Sequence, residues 1–213
     1  MSHNNNETLI RIQEAAMKEF MEKGFMKSSL RKICSQAGVT TGALYFFFKD
    51  KDDLFCSLVR EPVEEIYQVM MEHFSMEEQA TDQELYDIFT QTEAGEISKV
   101  SDQLVLEKIM SIMYSNREKF ILLLTKGQGS SMENIMDKFM DASTVQYTKL
   151  NNRMKRLFPD IKVSPHMAHW MAHDQVNANI YAITHIESEE EARVFCANLL
   201  KYFTGAWISI WKE

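Results

Sequence analysis

Residues 29–51 read SLRKICSQAGVTTGALYFFFKDK, and this stretch decides the fold. Its first half carries apolar residues at the i, i+3, i+4 and i+7 positions of one helix face, and that helix is expected to end at Gly38. After one turn residue, the hydroxyl of Thr40 can cap a second short helix in which Leu44 and Phe48 are spaced for the core. A helix, a tight glycine turn and another helix make a helix-turn-helix.

One further helix is predicted before this motif, over residues 7–23, because apolar residues recur along one face of that segment. Gly24 follows directly and supplies the backbone conformation that commonly ends a helix. Ser28 or Ser29 then offers a hydroxyl group that can cap the next helix. Residues 1–50 are therefore predicted to form a three-helix module.

The remainder of the chain is predicted to be a bundle of about six helices. The chain has seven Gly and three Pro, too few turn-forming residues for a fold of many short strands. Pro62 is expected to kink its helix or to start a new one, and residues 127–131 and 158–164 are the clearest loops. The predicted helices span residues 51–74, 82–94, 100–115, 117–126, 132–158, 165–186 and 189–211. The fold class is thus all-α, an N-terminal three-helix helix-turn-helix module followed by a C-terminal antiparallel helical bundle over residues 51–213.

The net charge of −8 is concentrated in the second part of the chain. Residues 1–60 hold nine Lys or Arg against seven Asp or Glu, whereas residues 61–213 hold fourteen against twenty-four. A mildly basic N-terminal module can approach a polyanion such as DNA, because binding to DNA depends on Lys and Arg that neutralise phosphates. The acidic second part is expected to serve another task.

The three cysteines lie far apart and form no CxxC pair, which argues against a disulfide framework and fits a reducing cytoplasm. Residues 1–7 lack the apolar core of a signal peptide, and no apolar run approaches the roughly 18 residues that span a bilayer. We therefore expect a cytoplasmic protein with no membrane partner.

Enzyme chemistry finds little support in the sequence. Residues 127–131 lack the GxSxG spacing, there is no GxxxxGK[ST] loop, and no Cys stands beside a His, so no catalytic residue and no cofactor is expected. His166, His169 and His173 recur on one face of a predicted helix, a pattern that could ligate Zn²⁺. Partly exposed histidines on a bundle surface explain the pattern better, and we expect no metal there. A helical scaffold that binds only protein would leave the first 54 residues unexplained.

The spacing of the first quarter of the chain, about residues 8–60, resembles the DNA-binding module of the TetR/AcrR-type family of transcriptional regulators. The residues that carry the resemblance are Ala15-Ala16-x3-Phe20-x3-Gly24-Phe25, Ser29-Leu30-Arg31-x-Ile33 and Ala37-Gly38-Val39-Thr40-Thr41-Gly42-Ala43-Leu44-Tyr45-x2-Phe48-x2-Lys51-x2-Leu54. The resemblance implies a transcriptional regulator, by default a repressor, that binds a palindromic operator in double-stranded DNA and is released by a small hydrophobic effector. A metal-responsive or ligand-independent DNA-binding regulator is the alternative.

The short helix that begins after Thr40 is expected to lie in a major groove, with its first residues at the base edges. Gly42 permits close approach of the backbone, and Lys51 corresponds to a phosphate-contacting lysine of the family. The chain departs from the family pattern where it has Thr41 instead of lysine, and where Phe46 and Phe47 replace a polar ring, so contact with thymine methyl groups is expected there. The predicted DNA-contacting residues are Ser28, Ser29, Arg31, Thr40, Thr41, Gly42, Tyr45, Phe46, Phe47 and Lys51.

The resemblance also implies a homodimer through the last two helices, and the apolar pattern of residues 189–211 agrees with it because one helix cannot hide so wide an apolar face. The predicted seam consists of Ala192, Phe195, Leu199, Phe203, Ala206 and Ile210, broadened by Cys196, Leu200 and Trp207. Ala168, Ala172, Ala178 and Ala182 would let the helices approach closely.

A small-molecule site is expected in the acidic part of the chain, where methionines are abundant. Flexible thioethers suit an adaptable apolar pocket, although core packing is the more common use for each methionine singly. The predicted ligand-binding residues are Met110, Met113, Tyr114, Phe120, Met136, Met140, Tyr147, Trp170, Met171 and Asp174.

Overall fold

The computed structural model describes residues 2–90 and 93–211, with side chains placed for residues 5–87 and 102–211. Over those ranges the regular structure is helical without strands, which confirms the all-α prediction. The helices are α1 (Ser2–Lys27), α2 (Leu30–Ala37), α3 (Thr41–Phe47), α4 (Lys51–Gln79), α5 (Asp82–Thr90), α6 (Glu93–Ser115), α7 (Arg117–Lys126), α8 (Ile135–Leu157), α9 (Met167–His185) and α10 (Glu189–Ile210).

One departure from the predicted helix bounds is at α4, which was expected to end at residue 74. This helix continues through Pro62 to Gln79, so of the two outcomes expected at the proline, a kink or a new helix, the second is wrong. Proline removes one backbone hydrogen bond, but Pro62 is buried together with Val63 and Ile66, and their packing offsets that loss.

Two compact units make up the chain, and the division into a DNA-binding and a ligand-binding domain at residue 50 stays a prediction. Residues 1–64 and 116–134 form the first, here called the N-terminal unit. Residues 65–115 and 135–213 form the second, here called the bundle unit. Helix α7 therefore packs with the first helices, against α1, although it was predicted as part of the bundle.

The core of the N-terminal unit is built on the predicted apolar stripe of α1. Ile12 and Phe20 are fully buried, and the rings of Phe20, Phe25 and Phe55 form an aromatic cluster with centroids 5.3 to 6.0 Å apart. Gly24 interrupts α1 at φ 73°, so the glycine breaks the helix as predicted, and one more helical turn follows before Lys27. That extra turn places Phe25 in the core.

The α2–turn–α3 segment has the predicted helix-turn-helix geometry. Gly38 adopts the left-handed conformation, φ 65° and ψ 37°, and the N–H of the next residue, Val39, donates to the Cys34 carbonyl at 3.0 Å. Leu44 and Phe48 are buried and hold α3 on the module. The segment is therefore fixed to the core from one side, which leaves the other side of α3 outward.

In the bundle unit, α9 packs along α8, and α6 packs between α5 and α10. Its buried core includes Leu85, Met154, Ile208 and Trp211. Among the residues that the structure describes, no helix combines the length and apolar character that a membrane span requires.

Candidate DNA-binding interface

Helix α3 begins with a side-chain cap, as the sequence predicted. The Thr40 hydroxyl oxygen accepts a hydrogen bond of 3.1 Å from the N–H of Ala43 and satisfies one of the free donors of the first turn. Thr40 is also exposed, so its side chain both caps the helix and lies at the surface. The capping role alone is sufficient reason for a threonine at this position.

The outward face of α3 combines small polar and aromatic side chains. Thr41 and Gly42 are exposed, Tyr45 is 54% exposed and Phe46 is 73% exposed. Phe47 is half-buried, with its ring 5.0 Å from that of Phe46 in an edge-to-face arrangement. Of the three adjacent aromatic residues, two are therefore exposed. An exposed aromatic pair on a short helix is unusual without a partner surface.

Gly42 has no structural need to be glycine. A Cβ atom built there has only one neighbour within 4 Å, the Thr40 hydroxyl oxygen at 3.9 Å, and its φ lies outside the positive range. By contrast, Gly38 has a positive φ that strains any other residue. The missing side chain at Gly42 therefore leaves the backbone uncovered on the outer surface of α3.

The predicted capping of α2 by a serine hydroxyl is wrong. Ser29 occupies the N-cap position of α2, but its side chain makes no capping hydrogen bond. The Ser28 hydroxyl donates instead to the Phe25 carbonyl at 2.7 Å. A buried carboxylate from α1, Glu19, takes the place of the cap and accepts from the Ser29 N–H at 3.3 Å.

Glu19 also fixes a lysine of α2. Its second carboxylate oxygen lies 3.0 Å from the Lys32 ammonium, and the hydrogen bond that Lys32 donates to Glu19 raises the pKa of Lys32 against the opposing effect of desolvation. Sequence reasoning missed Glu19 because a carboxylate on the buried face of a helix looks like a break in the apolar stripe. The two contacts align α2 with α1 and so set the direction of α3.

Three cations of the module differ in how they are held. The Lys51 ammonium donates to the carbonyls of Phe25 and Met26 at 2.7 and 3.4 Å. Arg31, a predicted DNA contact, is exposed, and so is Lys49, which was not among the predicted residues. Among the described residues neither of these two side chains has an ion-pair partner, so both charges face solvent near α3.

The predicted ligand-binding residues do not lie in one place. Phe120 is buried in the N-terminal unit, whereas the other nine belong to the bundle unit. Met110 and Met113 are buried there, Trp170 is 54% exposed, and the Tyr114 hydroxyl bonds to a main-chain carbonyl of the α9 end. The remaining five, Met136, Met140, Tyr147, Met171 and Asp174, are partly exposed.

An open groove of about 560 Å³ lies elsewhere on the bundle unit. Its lining is mostly charged and polar and includes Glu77, Gln146, Lys149 and Arg153, and none of the ten predicted ligand residues contributes to it. The nine predicted residues of the bundle unit therefore lie in its packed interior or at its surface, and they do not line this groove.

Asp102 and Tyr147 are among the titratable groups of the bundle unit whose pKa values are displaced. Burial raises the pKa of Asp102 to about 6, with His73 opposing the rise and Glu77 adding to it. Burial, together with the charges of Glu77 and Asp102, raises the pKa of Tyr147, whose hydroxyl donates to Gln175. Sequence reasoning selected only Tyr147 from this group.

The predicted histidine face has the expected layout on α9. His166 and His169 are exposed, and the rings of His169 and His173 meet with centroids 4.4 Å apart. Asp174, the next residue, is half-buried. That these histidines hold no metal stays a prediction.

The geometry of α2, its glycine turn and the exposed α3 defines the protein as a helix-turn-helix protein. Residues 12–58 match the family model described as "Bacterial regulatory proteins, tetR family". This match confirms, for residues 12–58, the family resemblance drawn from the sequence.

Individual relatives agree with this assignment. The chain is 36% identical over 75 residues to the fatty acid metabolism regulator protein of Bacillus subtilis (strain 168), covering 35% of this chain and 38% of the relative. It is 48% identical over 63 residues to the HTH-type transcriptional repressor BepR of Brucella suis biovar 1 (strain 1330), covering 28% of this chain and 30% of the relative. The matched segment thus spans less than two fifths of either curated relative.

One solved structure extends the likeness to nearly the whole chain. A transcriptional regulator (TerR/AcrR family) from Aquifex aeolicus VF5 superposes with a TM-score of 0.56 at 17% identity, over 92% of this chain and 98% of the other. At that identity the likeness concerns the fold alone, an N-terminal helix-turn-helix followed by a helical bundle.

Proposed function

We propose that this protein is a transcriptional regulator that binds a palindromic operator in double-stranded DNA as a homodimer. The observation that carries the proposal is the division of α3 into two faces. Leu44 is buried under the helix, while Thr41, Gly42, Tyr45 and Phe46 are exposed on it. A helix anchored in this way can enter a major groove about 12 Å wide without disturbing its own core.

Each exposed position has a chemical task at the DNA. The hydroxyl groups of Thr41 and Tyr45 donate to phosphate oxygens or base edges, and Gly42 allows the backbone to come close. Phe46 presents an apolar ring that suits the methyl group of thymine. Sequence preference therefore depends on few hydrogen bonds and on apolar contact. Four further residues position α3 on the DNA more than they read its sequence: Arg31, Ser28, Ser29 and Thr40.

The cations near α3 supply the affinity for the phosphate backbone. Each phosphate that a Lys or Arg neutralises releases counterions and steepens the salt dependence of binding. Lys49 and Arg31 are free to do so, and Lys51 retains one ammonium proton beyond its two carbonyl contacts. The acidity of the remaining chain confines this attraction to the N-terminal unit.

The dimer forms through α9 and α10. Large apolar or aromatic side chains are exposed on both helices, with Tyr181 at 49%, Val194 at 59% and Tyr202 at 61%. Among the predicted seam residues, Ala192 is fully buried within the subunit, whereas Phe203 is half-buried and Ala206 is exposed. The seam is therefore shifted toward Tyr202 from the predicted line, and covering it removes apolar surface from water.

A small hydrophobic effector binding in the bundle unit acts on operator affinity by favouring one conformer of the dimer. A preference of about 1.4 kcal/mol for the weakly binding conformer changes operator affinity only about tenfold, so a useful switch requires more. Repression is the default sign, because a dimer bound over a promoter blocks transcription. The protein then acts in the cytoplasm, where it binds the DNA.

The direct test is recovery of bound genomic DNA. The full-length protein is incubated with fragmented DNA from its own genome, and the retained fragments are sequenced and assayed by fluorescence anisotropy. We expect a shared inverted repeat, with two subunits bound per site. A Tyr45→Ala, Phe46→Ala double variant should lose discrimination between this repeat and random DNA. Equal enrichment of all fragments by the parent protein would contradict the proposal.

A further inference from the structure

We propose that the bundle unit contains a binding site for one divalent transition-metal ion, formed by His73, Glu77 and Asp102. His73 and Glu77 are one helical turn apart on α4, and Asp102 comes from α6. One possible ligand atom from each residue lies within 4.8 Å of the others. The site differs from the α9 histidine face, and its binding of metal does not depend on the proposed DNA-binding function.

Distances in the cluster suit an ion better than a direct hydrogen bond. The Nε2 atom of His73 lies 3.4 Å from a carboxylate oxygen of Glu77 and 3.4 Å from one of Asp102. N–H···O hydrogen bonds are usually about 2.7–3.2 Å long. A tetrahedral ion with bonds of about 2.1 Å holds its donor atoms about 3.4 Å apart, so the observed spacing needs little adjustment.

The charges of the cluster also favour a cation. Two carboxylates share the environment of one imidazole, and the side chains are only 14%, 32% and 29% exposed for His73, Glu77 and Asp102. Even a protonated imidazole leaves one negative charge uncompensated within the triad, and a neutral one leaves two. Partial burial weakens solvation of that charge, and a divalent ion supplies the missing positive charge.

A neighbouring residue already orients one of the ligands. The Gln146 amide donates to the second carboxylate oxygen of Glu77 at 2.8 Å, which leaves the first oxygen directed at His73. Such an outer hydrogen bond is the usual support of a metal-binding carboxylate. The His73 Nδ1 atom is buried and has no hydrogen-bond partner among the described residues. The other ring nitrogen, Nε2, is the one that faces the carboxylates of Glu77 and Asp102.

The donor set indicates the kind of ion. One imidazole nitrogen with carboxylate oxygens suits Zn²⁺ and other first-row divalent ions, whereas Mg²⁺ and Ca²⁺ prefer oxygen ligands alone. Three protein ligands leave a position for water on a tetrahedral ion. A bound ion would join α4 to α6 at this point.

The test uses full-length protein stripped with a chelator and then titrated with Co²⁺, followed by visible absorption and by the thermal unfolding midpoint. We expect one Co²⁺ per chain, a higher Tm, displacement by Zn²⁺ and no displacement by millimolar Mg²⁺. His73→Gln and Asp102→Asn should each weaken Co²⁺ binding by at least tenfold, and circular dichroism in chelator confirms that each variant is folded. Glu77→Gln provides a third, nearly isosteric variant.

The matched control is the His169→Ala, His173→Ala double variant, which should bind Co²⁺ like the parent. Absence of Co²⁺ absorption and of a Tm shift in the parent would overturn the site. Loss of binding in the control, with retention in the three triad variants, would overturn it equally. None of these readouts involves DNA, so failure of the metal site and failure of the proposed regulator function are distinguishable.

Discussion

The Lys51 ammonium donates a hydrogen bond of 2.7 Å to the main-chain carbonyl of Phe25, and it lies 4.5 Å from the centroid of the Phe25 ring. This contact joins the first turn of α4 to the last turn of α1, beyond the break at Gly24. Lys51 therefore stabilises the N-terminal unit in addition to its proposed contact with a DNA phosphate. These two roles can be separated by comparison with Lys49.

Replacing Lys51 with Ala should lower the Tm and weaken binding to operator and random DNA by a similar factor. The lost carbonyl contact explains the first effect, and one lost phosphate contact explains the second. The log-log salt dependence of binding should flatten by about 0.9. Differential scanning calorimetry and anisotropy at several salt concentrations measure both.

Lys49→Ala is the matched variant, since Lys49 is exposed. It should flatten the salt dependence to the same extent with an unchanged Tm. If Lys51→Ala retained the parent's salt slope, Lys51 would be a structural residue only.

Gly42→Ala should reduce operator affinity by tenfold or more without loss of stability. The added methyl group meets nothing closer than 3.9 Å inside the protein, and alanine is the better helix former by up to about 1 kcal/mol. Gly38→Ala is the contrasting substitution and should lower the stability, because Gly38 has φ 65°. Full operator affinity in Gly42→Ala would show that α3 does not approach DNA closely at this residue.

Phe203→Glu and Tyr202→Glu should each convert the dimer to a monomer at low micromolar concentration in sedimentation. A charge in an apolar seam is costly at both symmetry-related positions. Tyr202 is largely exposed, so its substitution leaves the packing of the subunit intact. Asn152→Glu adds the same charge at an exposed position of α8, and this variant should remain dimeric. A dimer that persists in both α10 variants would place the interface elsewhere.

Glu19→Ala should destabilise the N-terminal unit by about 0.5–1.5 kcal/mol, since it removes the acceptor of the Ser29 N–H. It also removes the nearer carboxylate beside the exposed Lys32 ammonium, which keeps Glu22 at 3.7 Å. Urea unfolding followed by circular dichroism measures the loss. Glu22→Ala removes an exposed carboxylate near the same lysine and should have little effect. Similar stability of the two variants would mean that the buried carboxylate does not hold α2.

The helix-turn-helix was predictable because its determinants are local. The spacing of Leu44 and Phe48, the hydroxyl of Thr40 and the glycine at 38 act within a few residues of each other, so the sequence alone contains them. The wider site was not predictable in this way. Glu19 meets Ser29 only after α1 and α2 have packed, and His73 meets Asp102 across 28 intervening residues.

The bundle shows the same limit of periodicity. An apolar stripe indicates that a helix face is buried but not what buries it, so the pattern around Phe120 did not show that this residue packs in the N-terminal unit. Likewise, proline does remove a backbone hydrogen bond from the helix at Pro62, but the burial of the surrounding residues outweighs that loss.

The placement of α7 affects the order in which parts of the chain can fold during translation. Leu122 and Leu123 are buried in the same unit as α1, more than fifty residues after the helix-turn-helix has been synthesised. A nascent chain that has emerged only as far as α4 therefore exposes the apolar side of α1 that α7 later covers. The N-terminal unit can complete its core only after residue 134 has left the ribosome, by which time α5 and α6 are already outside.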